Sequence, residues 1–298
     1  MHHLVVVTGA TGNVGGEIAR RLLARKERVR VVGRDIARLE PFADGGAEIA
    51  AGSLEDAAFL RRAFRGAGAV FAMIPPNLAA PNVREHQRRI SDALGSALES
   101  EKPGHVVSLS SIGADLPSGT GPIAGLYDLE QRLNALSGAN VLHVRACFFM
   151  ENSLGSIGFI KSQGINGGPI RGDLPLPMIA TRDIGAAGAD LLADASFQGK
   201  SSRELHGPRD YTMAESTGIL GRAIGKPDLK YVQFPYDATR QALVSVGFSV
   251  SMAEAYVEMA RAFNEGRARP LEPRSAKTTT PTTLEEFAGT FGAAFRAS

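Results

Sequence analysis

The stretch GLYDLEQRL (125–133) places Tyr127 and Gln131 one helical turn apart, so their side chains share a face. A tyrosine in such a place donates a proton to a substrate carbonyl when a neighbouring cation lowers its pKa from about 10. A lysine at 131 would complete that relay. Glutamine can hold a ribose hydroxyl but carries no charge, which leaves Tyr127 a weak acid–base group at neutral pH. Alcohol dehydrogenation and sugar epimerisation, which need the relay, are therefore disfavoured. Hydride transfer to an acceptor that is already electrophilic, such as a quinone, needs mainly positioning, and water can supply the protons. Tyr127 is equally compatible with a role as an aromatic wall or packing residue.

A second group is TGATGNVGG (8–16), which follows an apolar strand and opens a helix. Gly9 permits the tight turn, Gly12 lets backbone approach a diphosphate, and Gly15 lets the helix pack against the strand. With them Thr11, Asn13 and Val14 form the turn and first helical residues that would face the phosphates of a dinucleotide. The second strand ends in Gly33-Arg34 rather than in a carboxylate. Arg34, with Arg38 four residues on, suits the 2′-phosphate of NADP(H) and favours it over NAD(H). Asp35, shifted by one position, would instead serve a ribose, and both arginines are also compatible with plain surface charge.

Strands are expected at 4–9, 29–33, 47–52, 69–74, 105–111 and 140–146. Helices are expected at about 13–26, 54–65 (capped by Ser53 with Asp56), 82–100 and 124–136. This alternation means a doubly wound parallel α/β sheet of Rossmann type. Met73, Ile74 and Pro75 end the fourth strand, on the adenosine side of a dinucleotide. Ser110 and Ser111 end the fifth. Phe148, Phe149 and Asn152 follow the sixth, at the mouth of the expected cleft, where the rings would stack on nicotinamide or a flat substrate or simply join the core.

After Phe148 the rhythm changes. The Gly/Pro-rich stretch 162–177 reads as largely loop, and its length invites closure over a ligand. A helix from about Arg182 to Ala193 starts at Asp183, read as a cap, and Asp210 is read as a turn residue. TMAE (212–215), SMAE (251–254) and TTLE (282–285) read as capping boxes, and 268–283 as a polar connector. The expected division is a dinucleotide-binding domain over 1–152 and a smaller, mostly helical domain over 153–298 that closes a substrate cleft, with 177–194 returning to the first.

The 298 residues carry a net charge of +2, too near neutral to suggest nucleic acid or an anionic membrane as partner. One cysteine, Cys147, excludes an internal disulfide and suits a reducing, cytoplasmic compartment; a buried apolar thiol is expected there rather than a redox group. No apolar run reaches the ~20 residues of a membrane span. His86, His143 and His206 lack metal spacing, and His2 with His3 makes no convincing site, so no metal is assigned.

VVTGATGNVGG, VRVVGRD, AMIPPN, VVSLSSIGAD and VRACFFMEN, with PMIATRDIGAAGADLL and GPRDYTMAE later on, resemble the NmrA-like group of atypical short-chain dehydrogenase/reductases. The resemblance implies a Rossmann-type domain, a preference for NADP(H), and a small C-terminal domain forming a substrate cleft. In the wider short-chain dehydrogenase group a serine ends the fifth strand and a Tyr-x-x-x-Lys lies on the next helix. Ser111 matches the serine, with Ser110 beside it, and Tyr127 the tyrosine; Gln131 replaces the lysine. Some members of the group resemble quinone or azo-dye reductases, others redox sensors that bind the dinucleotide without consuming it and signal through a protein partner. The leading expectation is an NADPH-dependent reductase of a small, flat, conjugated acceptor. The alternatives are a non-enzymatic sensor and, third, a nucleotide-sugar epimerase or dehydratase.

Overall fold

The structure is a computed structural model and describes residues 3–298. Its first half runs β1 (Leu4–Thr8), α1 (Asn13–Ala24), β2 (Arg28–Gly33), α2 (Glu40–Asp44), β3 (Glu48–Ala51), α3 (Ala57–Phe64), β4 (Ala67–Ala72), α4 (Val83–Glu101), β5 (His105–Ser111), α5 (Ala124–Asn134) and β6 (Asn140–Ala146). The second half adds β7 (Phe148–Phe149), α6 (Ile157–Gln163), β8 (Asn166–Gly168), β9 (Leu176–Ile179), α7 (Thr181–Asp194), β10 (Lys200–Leu205), β11 (Asp210–Tyr211), α8 (Met213–Ala223), β12 (Tyr231–Gln233), α9 (Tyr236–Ser245), α10 (Val250–Asn264) and α11 (Leu284–Ala297).

Seven strands form one parallel sheet in the order β10-β6-β5-β4-β1-β2-β3. Successive strand residues face opposite sides. In β1, Val5 and Val7 enter one core with Ile18 and Leu22 of α1 and Ile184 and Leu192 of α7. Leu4 and Val6 enter the other, with Leu60 of α3, Leu94 of α4 and Leu133 of α5. Both faces are covered, which is why the strands read apolar at every position. Strand order reverses between β1 and β4, and the crevice beyond the C-terminal ends of those strands is the ligand position of such a sheet.

Several local readings change. The seventh strand, β10, comes from 200–205, which carries Lys200, Ser201 and Ser202 on an exposed edge and so lacks an apolar signal. The stretch 162–177 is not all loop: β8 pairs with β12, and β9 begins at Leu176. It is also tied down, by Asn166 Nδ2 donating to Thr217 Oγ1 (2.9 Å) and Arg171 N donating to Asn264 Oδ1 (2.8 Å). The cap of α3 is Asp56 itself, which accepts from Ala58 N and Phe59 N (both 2.9 Å), so the helix starts at 57. Ser249, not Ser251, caps α10; the Ser251 hydroxyl accepts instead from Val83 N (3.1 Å). The last capping box is Thr283 with Glu286, one residue beyond the expected pair. Asp183 is no cap: its carboxylate accepts from Thr282 N (2.9 Å) and Thr282 Oγ1 (2.8 Å), binding α7 to the connector. Asp210 lies in β11 and pairs with Arg274. His2 lies outside the described residues, while the His3 ring donates to Leu192 O (3.0 Å). Among the described residues no helix is long and apolar enough to cross a membrane.

His143 on β6 is 2 % exposed. Its Nε2 donates to Asn134 Oδ1 (3.0 Å), so Nδ1 accepts from the Ser108 hydroxyl (2.7 Å). Burial holds the ring neutral and lowers its pKa to about 4. Below pH ~6.5 the unfolded chain therefore binds a proton that the native chain refuses. Stability is complete above that pH and falls as pH drops toward 4, by roughly 2 kcal/mol between pH 7 and 5. Urea unfolding at the two pH values should show this loss, and His143→Gln, which keeps an amide donor and acceptor, should flatten it.

Candidate functional site

The turn between β1 and α1 has the shape of an anion cradle. Gly9 adopts φ +65°, a left-handed conformation that favours glycine. Its α-carbon faces Met73, whose Sδ would lie 2.7 Å from any Cβ at position 9. A Cβ at Gly15 would lie 2.5 Å from Gly9 O, so the helix touches the turn only because that side chain is absent. Gly12 is the N-cap of α1; its N–H donates to Gly9 O (2.9 Å), and no side chain caps the helix. By contrast Asp56, Asn82, Thr212, Ser249 and Thr283 cap α3, α4, α8, α10 and α11. The first N–H groups of α1, at Asn13 and Val14, are thus left for a ligand, and the helix dipole favours an anion there. A dinucleotide diphosphate fits this turn.

Arg38 Nη2 donates to Thr11 O (2.7 Å), which folds the segment after β2 back onto the turn. Thr11 Cγ2 packs on Gly33, where a Cβ would lie 3.2 Å away. A recess of about 600 Å³ opens here, lined by Thr11, Gly12, Asn13, Arg20, Arg38 and Phe42. Arg20 went unnoticed in the sequence because it lies a turn and a half beyond the glycines, among helix-surface charges. Arg34 is exposed, its side chain makes no hydrogen bond or ion pair among the described residues, and it lies outside that lining. Ile74 and Pro75, half-buried, follow Met73 beyond β4; Ile74 packs into the α3–α4 core. A second recess, about 400 Å³, lies between the start of α4 and α10, lined by Arg84, Gln87, Ser251 and Glu254; no glycine-turn residue reaches it.

At the end of β5 the two serines point to opposite faces. The Ser111 hydroxyl donates to Ile112 O (3.0 Å). The Ser110 hydroxyl donates to Glu130 Oε1 (2.5 Å). Glu130, 2 % exposed, also takes both arms of Arg145: Nε to Oε1 at 2.9 Å and Nη2 to Oε2 at 2.6 Å. That bond to Glu130 holds the Arg145 guanidinium above its ordinary pKa. Nothing in the sequence marked this pair, although an acid facing one strand and a base within that strand are the available signal. Tyr127 is half-buried and Gln131 exposed; among the described residues neither side chain makes a hydrogen bond, to each other or to Ser111.

Phe148 meets Phe263 of α10 edge-on, with centroids 6.3 Å apart. Phe149 is half-buried, and Asn152 is exposed, its side chain without a hydrogen-bond partner among the described residues. Between them Glu151, missed in the sequence, caps α7 by accepting from Thr181 N (3.0 Å) and Thr181 Oγ1 (2.6 Å). Cys147 is buried, and burial pushes its thiol upward, so it is no thiolate at neutral pH. His86 faces Glu55 (3.1 Å) and His206 faces Glu204 (3.4 Å). Among the described residues no three His, Cys, Asp or Glu side chains are grouped to hold a metal.

Known proteins resemble this chain in sequence and in fold. The chain is 29 % identical over 293 residues to a (4-alkanoyl-5-oxo-2,5-dihydrofuran-3-yl)methyl phosphate reductase of Streptomyces griseus, covering 98 % of this chain and 95 % of that protein. It is 29 % identical over 297 residues to an NAD(P)H azoreductase of Xenophilus azovorans, covering 99 % and 100 %. An NADPH-dependent quinone oxidoreductase of Escherichia coli, solved with NADPH, has the same fold, with a TM-score of 0.79 at 22 % identity over 96 % of this chain and 99 % of that one. Residues 1–288 match the NmrA-like family, and the chain belongs to that family.

Proposed function

We propose that this chain is an NADPH-dependent reductase of a flat, conjugated acceptor such as a quinone or azo compound. The observation that carries the reading is the convergence of Gly9, Gly12, Met73 and Arg38 on one uncapped helix terminus at the sheet's switch point. The named activities of the two 29 %-identical relatives support the same class. When bound, the dinucleotide supplies a hydride. The chain's own part is to hold it. The α1 terminus takes the diphosphate, Thr11 and Arg38 face the adenosine ribose with Arg34 within the same turn, and Met73, Ile74 and Pro75 line the crevice beyond β4. Ser111 and Tyr127 are proposed at the reacting end, Ser110 being committed to Glu130. Phe148, Phe149 and Asn152 are proposed to line the acceptor site. With Gln131 in place of a lysine, no cation activates Tyr127, which suits acceptors whose reduction draws its proton from water.

The substrate cleft is proposed to lie between the sheet and the elements after 152, with α7 and β10 belonging to the sheet layer. The single buried thiol suits a reducing, cytoplasmic setting. Steady-state loss of NADPH absorbance near ~340 nm with quinones, azo dyes and aldehydes tests the activity; oxidation with the first two classes is expected. Tight NADPH binding without turnover on any acceptor would favour the sensor instead.

Cofactor choice has its own test. Arg38→Ala removes a guanidinium beside Thr11 and should weaken NADPH by roughly 10-fold while changing NADH little. Arg34→Asp should act in the same direction. Calorimetric titration with both cofactors checks this, and equal loss of the two would refute a phosphate role.

A further inference from the structure

α10 lies across the loops at the C-terminal edge of the sheet. At its start the Ser249 hydroxyl donates to Ala80 O (2.6 Å), and Ser251 takes Val83 N, fixing the helix to the loop after β4. At its middle Ala255 O presses on Gly121, where a Cβ would lie 1.9 Å away, so the helix rests on the turn that opens α5. At its end Phe263 meets Phe148 just past β6, and Asn264 Nδ2 donates to Pro169 O (2.9 Å). One helix therefore roofs the loops after β4, β5 and β6.

Tyr256, Met259 and Phe263 follow one another at i, i+3 and i+7, on one face of this helix. Phe263 identifies that face as the one turned toward Phe148. The Tyr256 ring stands edge-on to Phe248 (centroids 6.5 Å apart) and within electrostatic reach of Tyr231 on β12. The sequence has five tyrosines. Tyr231 donates to Ile170 O (2.8 Å), Tyr236 receives Asn264 Nδ2 (2.8 Å), and Tyr211 bonds Glu285 and Leu284 N (both 3.0 Å). Only the hydroxyls of Tyr127 and Tyr256 make no hydrogen bond among the described residues. Tyr127 is the tyrosine that its family pattern singles out; Tyr256 has no assigned role. Tyr256 is half-buried and its unpartnered hydroxyl is reached by solvent, so it is free to meet a ligand.

We propose that Tyr256 contacts the substrate, its hydroxyl donating a hydrogen bond to the electron-accepting oxygen or nitrogen of the flat acceptor held beneath α10. This rests on the reductase reading above. Burial raises the pKa of Tyr256, so the phenol stays protonated and acts as a donor at neutral pH. The ring, framed by Phe248 and the Met259–Phe263 face, offers an apolar surface with one polar point, which suits a conjugated molecule with a terminal heteroatom.

Tyr256→Phe in the full chain keeps the ring and removes the hydroxyl. NADPH affinity by calorimetry and the melting temperature should be unchanged, while kcat/KM for a benzoquinone falls roughly 10-fold or more. A KM rise would place the bond in the bound acceptor, and a kcat fall would place it in the transition state; either supports the assignment. Unchanged kcat/KM with a folded, NADPH-binding variant would overturn it. A variant that loses its fold is bypassed by a crystal structure of the wild-type chain with NADP⁺ and hydroquinone. There an oxygen within hydrogen-bond distance of Tyr256 Oη supports the proposal, and an oxygen bonded elsewhere refutes it. A wild-type chain that neither binds nor reduces any acceptor would refute the reductase reading itself, and this inference with it. That result is distinct from the variant's.

Discussion

Gly12→Val is expected to abolish NADPH binding and to leave the protein folded. The position has φ −96° and ψ 176°, extended backbone that valine adopts readily, and the nearest atom to an added Cβ is Gly9 O at 3.3 Å. The remainder of the isopropyl group has nowhere to go except into the mouth of the cradle, because Gly12 is exposed and caps the helix whose N–H groups are free. A diphosphate bound there would have to yield both contact with those groups and its place at the dipole. A loss of roughly 100-fold or more in affinity is expected, about 3 kcal/mol. Calorimetry gives the affinity and thermal melting the fold. Retained NADPH affinity would move the cofactor away from the glycine turn altogether. Gly15 would be a poor substitute for this experiment: a Cβ there strikes backbone at 2.5 Å, so the fold and the cradle would fail together.

The largest effect on stability is expected at Glu130. Its carboxylate accepts from Ser110 and from two nitrogens of Arg145, and the Arg145 side chain is only 14 % exposed. Glu130→Leu strands that guanidinium and leaves the Ser110 hydroxyl without its acceptor. Removing one partner of a buried pair costs about 3–5 kcal/mol, far more than the pair itself contributes relative to apolar groups. Urea unfolding should register that loss, and the double variant Glu130→Leu with Arg145→Met should recover most of it, since both charges then leave together. A single-variant cost below about 1 kcal/mol, or additive effects in the double variant, would contradict a coupled buried pair.

The first half of the fold was legible because two independent signals agreed there. Apolar runs marked the strands of a sheet covered on both faces, and the glycine spacing marked the turn after β1. Boundaries fell within one to three residues, with the fifth and sixth strands at their expected limits. The second half was harder to read for a physical reason. β10 is the edge of the sheet, half exposed and polar, so its membership depends on pairing with β6 and not on its own composition. β7, β8, β11 and β12 are two or three residues long, too short to show a period.

In the site, residues fixed by backbone geometry were readable, and residues fixed by tertiary partners were not. Gly9, Gly12 and Gly15 have a conformational or steric reason visible in their spacing. Ser110 and Ser111 are adjacent in sequence, and only the pleat and the position of Glu130 on α5 separate their roles. The sequence put Arg34 first and Arg38 behind it; the bond to Thr11 O distinguishes Arg38. Glu151, Arg20 and Tyr256 belong to helix surfaces or loops whose orientation no periodicity fixes. Gln131, where a lysine would complete a relay with Tyr127, was in contrast plain from one position, and it bears most directly on which reactions are proposed.

That bearing can be measured in one experiment. The purified chain, loaded with one equivalent of NADPH, is mixed anaerobically with excess benzoquinone, and the dihydronicotinamide absorbance near ~340 nm is followed in a stopped-flow cell. A reductase oxidises its bound NADPH fully, with one hydroquinone formed for each nucleotide consumed. Bound NADPH that persists unchanged in the presence of quinone, azo dye and aldehyde alike would contradict the account and leave a chain that holds the dinucleotide without spending it.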